Sequence, residues 1–184
     1  MTTTDAAQRL TFRPADEADI ATLVALYDRA ARWMLERGID QWKPGGKDAE
    51  HFRRRIAADE VWLAHQGVAV AGAYEIWWSD EAAWGVQPPV AGYVHRLMTR
   101  RGAPAGTGRA LLAEAERRIA AAGLDRCRLD CMTSSPRLRD YYEGAGYTVV
   151  GELPGKVAAD GSTYGVLLLE KRLGEQHGAG VSGA

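Results

Sequence analysis

A chain of 184 residues with 46% hydrophobic side chains carries enough apolar surface for one full core, and it is short for two domains of ordinary size. Its net charge of −1 argues against a dedicated nucleic-acid binder, and no stretch has the ~18 consecutive apolar residues of a membrane-spanning helix. The polar start, residues 1–8, lacks the charged and apolar regions of a secretory signal, so the expected location is the cytoplasm.

Residues 10–13 read as a first strand, stopped by Pro14. Asp16 is placed to cap a helix with Glu17 and Asp19 in its first turn. Ile20, Leu23, Val24, Tyr27, Ala31 and Met34 then follow at helical spacing up to Gly38. Residues 39–46 form a loop around Gln41, Trp42 and a Pro-Gly-Gly break, and 47–59 a second helix with Phe52 and Ile56 inward. Strands over 61–64 and 68–78 meet at a Gln66-Gly67 turn, 79–89 is loop, and 90–99 is a fourth strand. A loop over 102–107 leads into a helix over 108–122, with Leu111, Leu112, Ala115 and Ile119 on its inner face and Gly123 as its stop.

Residues 124–131 make a fifth strand, after which Ser135 and Pro136 suit the cap and first position of a helix carrying Leu138, Tyr141, Tyr142 and Ala145. Strands over 147–153 and 164–171 close the domain across an Asp160-Gly161 turn. The order β-α-α-β-β-β-α-β-α-β-β predicts an α/β (α+β) fold: one domain over 10–172, with helices on both faces of a mixed sheet of about seven strands. A flexible start (1–9) and a disordered Gly/Ser/Ala tail (173–184) flank it.

Cys127 and Cys131 sit four apart in the fifth strand, too far for a disulfide and without further ligands for zinc. They are expected as buried thiols, and no metal is expected. Charge is uneven: eight arginines face three acids between Arg96 and Arg128, whereas eight acids face five bases between Pro14 and Glu50. Such a division suits an anion bound in one place and a cation in another, or else solvated helix faces.

The sharpest feature is YVHRLMTRRGAPAGTGRALL, a strand, a glycine loop and a helix start from Tyr93 to Leu112. Gly106 and Gly108 let backbone approach a ligand, the helix N-terminus offers unpaired N–H groups, and Arg100, Arg101 and Arg109 add charge. This is the chemistry of a pyrophosphate site, although the Walker and dinucleotide spacings both fail.

The chain resembles the GNAT superfamily of acyl-CoA N-acyltransferases over residues 10–172, most specifically between Tyr93 and Tyr147. Leu97-Met98-Thr99 resembles the family's strand triplet, and Gly106-Thr107-Gly108-Arg109-Ala110 its pyrophosphate loop and helix start. Ser135, Leu138, Tyr142 and Gly146-Tyr147 match its second motif in spacing, with Ser135 where the family has Asn and Ala103 where it has Arg or Gln. The resemblance implies a mostly antiparallel, twisted sheet splayed between strands four and five, with acetyl-CoA as co-substrate and no metal. It implies cofactor contacts at Leu97, Met98, Thr99, Gly106, Thr107, Gly108, Arg109, Ala110 and Ser135. Tyr142 is implied as the acid for the departing thiolate, while Tyr141, about 100° around the helix, is expected only to pack.

Glu75 and His95 are the candidates for removing a proton from the attacking amine. Trp42 and Trp77, with Trp78 and Trp84 nearby and acids at Asp40, Glu75, Asp80 and Glu81, suggest an acidic, aromatic pocket for a cation, with one of Trp77 and Trp78 in the core. The expected activity is acetylation of a primary amine on a small, cationic molecule by direct attack in a ternary complex. Acetylation of a protein or peptide amine, and a catalytically silent acyl-CoA-binding module, are the alternatives. No nucleic acid or membrane partner is expected, and a homodimer is compatible with the sequence.

Overall fold

The structure, a computed structural model, describes residues 9–39, 41–158 and 161–174. The predicted flexible start (to residue 8), the tail from 175, Asp40 and the Asp160 side of the last turn lie outside the described residues.

Strand β1 (Leu10–Pro14) runs into Asp16, whose side chain accepts from the Ala18 N–H while Asp19 accepts from the Asp16 N–H at 2.9 Å. This reciprocal cap closes a 3₁₀ turn (Glu17–Asp19), so helix α1 (Ile20–Glu36) begins a turn later than its cap residue suggests. Helix α2 (Ala49–Ala57) is shorter than predicted because Asp48 caps it by accepting from the His51 N–H at 2.9 Å. Strands β2 (Val61–Gln66) and β3 (Ala69–Trp77) follow. The expected loop at 79–89 contains a one-turn helix, α3 (Glu81–Trp84), capped by Asp80 on the Ala83 N–H.

Strand β4 (Ala91–Thr99), helix α4 (Thr107–Ala121), strand β5 (Arg126–Met132), helix α5 (Pro136–Glu143) and the hairpin β6 (Thr148–Val157) and β7 (Thr163–Arg172) complete the chain. Ser135 occupies the position before α5 but makes no side-chain cap; Pro136 at the start of the helix provides the preset backbone.

The seven strands form one sheet in the order β1-β2-β3-β4-β5-β7-β6, antiparallel except for the parallel pair β4–β5. Strand alternation sends Val61, Leu63, Ala73 and Met98 into a core with Leu23, Tyr27 and Ala31 of α1 and Phe52 of α2. Tyr74, Ile76 and Val94 join Leu111, Leu112, Ala115 and Ile119 of α4 on the other face. That face closes tightly: a Cβ at Gly92 would lie 2.5 Å from Ile119 Cγ1, so glycine sets how closely α4 approaches β4.

Two irregularities shape β4. It pairs with β5 only through Ala91, Gly92 and Tyr93 against Arg126, Cys127 and Arg128, so the two strands part beyond Tyr93. Opposite β3, Ala73 pairs with Met98 and Glu75 with His95, leaving Arg96 and Leu97 facing Tyr74 alone: a bulge, with Arg96 at φ +47.

Candidate active site

A cavity of about 550 Å³ opens where β4 leaves β5, lined by Leu97, Thr99, the 100–104 turn, Gly106, Thr107, Gly108, Arg109, Leu138, Tyr141 and Tyr142. Gly106 caps α4 at φ +85, a left-handed conformation that favours glycine, and the Thr107 hydroxyl donates to the Pro104 carbonyl at 2.7 Å. The N–H groups of Gly108 and Arg109 stand in the first turn, ahead of the helix's own hydrogen-bond ladder. A Cβ on Gly108 would meet the Tyr141 hydroxyl at 2.9 Å. The Arg109 guanidinium lies 4.1 Å over the Tyr141 ring and donates to the Tyr141 carbonyl. Arg100 donates to the Val70 carbonyl and Arg101 stacks on Trp33 at 3.9 Å, so all three arginines are braced around the loop.

Of the predicted cofactor residues, Leu97, Thr99, Gly106, Thr107, Gly108 and Arg109 line this cavity. Met98 points into the α1–α2 core, and Ala110 and Ser135 are not on the wall. Tyr141 is more than packing. It lines the cavity beside Tyr142, the two rings meeting edge to face with centroids 5.2 Å apart.

A second cavity, about 680 Å³, shares Leu97, Leu138 and Tyr142 with the first. Its walls are the loop with Trp42 and Lys47, Trp77 at the end of β3, His95 and Arg96 of β4, Asp130 of β5, and Lys156 and Tyr164 of the last hairpin. Burial pushes the Tyr142 hydroxyl well above the usual phenol range, so it stays protonated at neutral pH.

His95 Nε2 lies 3.0 Å from Asp80 Oδ2, and its ring stacks 3.9 Å from Trp77, tilted 30°. Burial works against the Asp80 charge, but His95, Lys156 and the Ala83 N–H together hold its carboxyl below the ordinary range. Asp80, His95 and Asp130 offer ligand atoms within 4.8 Å of one another, the arrangement among the described residues that could hold a cation; Lys156 already sits 2.5 Å from Asp130 Oδ2.

Glu75 occupies a different place from that expected. Its side chain is fully buried beneath the second cavity and absent from its wall. It accepts from Trp77 Nε1 and Arg96 at 2.8 Å and pairs with His51 Nε2 at 2.9 Å. Burial opposes this charge, yet the His51 bond, the Arg96 cation and the Trp77 N–H outweigh it and bring the carboxyl to about 2. His51, kept largely neutral by burial, was not legible as a partner: on α2 it reads as one more polar residue beside an arginine run.

Nor does the wall have the expected acidic character. Glu81 and Glu75 are off it, Asp80 is on it, and Asp40 lies outside the described residues. Both faces of Trp77 are covered, by Arg55 at 3.5 Å and by His95, and Trp42 stacks on Tyr27 at 5.1 Å. Trp78 is 41% exposed and Trp84 packs against Tyr93, so neither Trp77 nor Trp78 is a core residue.

A splayed β4–β5 pair with a glycine-capped helix at its mouth defines an acyl-CoA-binding fold, and the comparisons agree. The chain is 30% identical over 161 residues to the uncharacterized N-acetyltransferase YesJ of Bacillus subtilis, covering 82% of this chain and 84% of that protein. A GNAT-family acetyltransferase structure from Listeria monocytogenes superposes with a TM-score of 0.73 at 26% identity, covering 89% of this chain and 95% of its own. The fold is also that of YncA from Salmonella typhimurium, solved with its cofactor acetyl-CoA, at a TM-score of 0.68 and 15% identity, over 94% and 99% of the two chains. No family profile matches the chain. The chain belongs to the GNAT family and is an acetyl-CoA-dependent N-acetyltransferase. No helix among the described residues is long and apolar enough to cross a membrane.

Proposed function

We propose that this enzyme transfers the acetyl group of acetyl-CoA directly to the primary amine of a small molecule, both substrates being bound together. The observation that carries this reading is the junction of the two cavities at Leu97, Leu138 and Tyr142. The second cavity is walled by the 41–47 loop on one side and the β6–β7 hairpin on the other, a shape suited to a small molecule instead of a protein segment.

In this reading the first-turn N–H groups of α4 and its positive end hold the pyrophosphate, with Arg101 and Arg109 alongside. A thioester is already activated, so alignment with the amine supplies much of the acceleration. Main-chain N–H groups of β4 over Leu97, Met98 and Thr99 stabilise the developing oxyanion. His95, with Nε2 turned to Asp80, uses Nδ1 to take the amine's proton, directly or through water. As the new C–N bond forms and the C–S bond breaks, Tyr142 donates its proton to the leaving sulfur. Glu75 supports this chemistry from beneath by anchoring Arg96 at the bulge and Trp77 behind His95.

Tyr142→Phe is the test. It should lower kcat by at least ~10-fold with the acetyl-CoA dissociation constant nearly unchanged. Full kcat in that variant, under conditions where chemistry limits turnover, would remove Tyr142 from its role.

A further inference from the structure

The described charges on the second cavity are Lys43, Lys47, Arg96 and Lys156 against Asp80 and Asp130, with His95 between them. Most are matched within the protein: Lys156 by Asp130, Arg96 by Glu75 beneath it, and Asp80 by His95. Lys47 is the exception. It is half-buried on the cavity wall and has no carboxylate in ion-pairing range among the described residues. Burial, with Arg96 and Arg55 nearby, pushes its ammonium below the usual lysine value despite the Glu75 charge.

The backbone beneath Lys47 is fixed. The Gly45 N–H donates to Asp28 at 2.8 Å and the Gly46 N–H to the Lys43 carbonyl at 2.9 Å. A Cβ at Gly46 would fall 2.8 Å from the Tyr27 hydroxyl, and Asp48 on the other side is committed to the α2 cap. A lysine set on such a frame is a built feature of the wall. An unpaired ammonium half-removed from water is unfavourable unless an anion arrives. A cationic acceptor finds the opposite: both faces of Trp77 are taken and Lys47 repels it.

We infer that the acceptor amine carries a carboxylate, phosphonate or phosphate group remote from its nitrogen, and that Lys47 binds this anion. The inference rests on the second cavity being the acceptor pocket of the acetyl transfer. It makes Lys47 a specificity-determining residue, with Arg96 adding to the local positive potential.

The experiment is thiol release with 4-aminobutanoate, 4-aminobutanamide and 1,4-diaminobutane, whose reacting amines are alike and whose far ends are anionic, neutral and cationic. Shorter and longer homologues and 3-aminopropylphosphonate run alongside, and the phosphonate arm distinguishes the two anion types. The anionic members should exceed the diamine in kcat/KM by at least about tenfold. Lys47→Gln should reduce that ratio by a similar factor, acting through KM, and Lys47→Arg should retain most of it. A preference for the diamine or the amide, or a ratio untouched by Lys47→Gln, overturns the inference while leaving acetyl transfer to a small amine standing. Absence of thiol release from every member, with acetyl-CoA binding intact, defeats both readings.

Discussion

Replacing Glu75 by Gln changes almost nothing in size and removes one negative charge from a fully buried position. The native carboxylate serves three groups, His51, Trp77 and Arg96. An amide keeps one acceptor oxygen and turns an NH₂ toward groups that themselves donate. Arg96 also loses its counter-ion while held at φ +47, a conformation that a non-glycine residue adopts only when its surroundings enforce it. Breaking a buried pair from one side costs about 3–5 kcal/mol, and the retained oxygen places this variant near ~3 kcal/mol. For a domain of this length each kcal/mol moves Tm by about 2–4 °C, so a fall of about 6–12 °C is expected. Urea unfolding followed by tryptophan fluorescence measures the free energy, and calorimetry the Tm.

A second readout tests the charge itself. A carboxyl held at about 2 stays ionised as the pH falls through the ordinary glutamate value of 4.5, so its stabilisation is complete above that value and is lost progressively as the pH falls from 4.5 to about 2. The Glu75 carboxyl carbon should therefore not titrate between pH 7 and about 4. A variant within ~1 kcal/mol of wild type, or a carboxyl that titrates with the surface glutamates, would refute the reasoning.

Gly106→Val places a β-branched side chain at φ +85, where L-residues are strained by roughly 1–2 kcal/mol, and deforms the loop before α4. The thermal shift produced by acetyl-CoA should be lost while the apo protein still unfolds cooperatively; a preserved shift would place the cofactor elsewhere. Burial pushes the Cys127 thiol up to about 12 and the Cys131 thiol up to about 11, so thiolate appears only well above neutral pH. Both should resist alkylation at pH 8 in the native state and react on unfolding, as followed by mass spectrometry.

Helix and strand periodicity made most of the framework legible. Leu111, Leu112, Ala115 and Ile119 are all buried as their spacing requires, and the glycine loop stands between β4 and α4 as expected. What escaped was set by partners distant in the chain. His51 and Glu75 are 24 residues apart, and only the packing of α2 on the sheet brings them together. The bulge at Arg96 leaves no local signal because it occupies a position where glycine is usual, stabilised by Glu75 from the neighbouring strand. Pocket charge misled for a related reason: acids close in sequence to the tryptophans are spent on caps and buried pairs, and the cavity takes its positive charge from the 43–47 loop, Arg96 of β4 and Lys156 of the last hairpin. The junction of the two cavities at Tyr142 was reachable only through the family resemblance.

The parting of β4 from β5 has a mechanical side. The sheet is two plates, β1 to β4 and β5 with the final hairpin, stitched by a seam of three residues on each strand and by α4 lying across both. A ligand held beyond the seam would touch both plates at once, like a keystone, because β4 and β5 both line the second cavity there. Cofactor occupancy is then expected to stiffen the far plate, which carries Tyr164 and Lys156 on the wall of the second cavity. The expected kinetic order is therefore acetyl-CoA first and amine second, and a random order in initial-rate and dead-end inhibition patterns would show the two plates to be uncoupled.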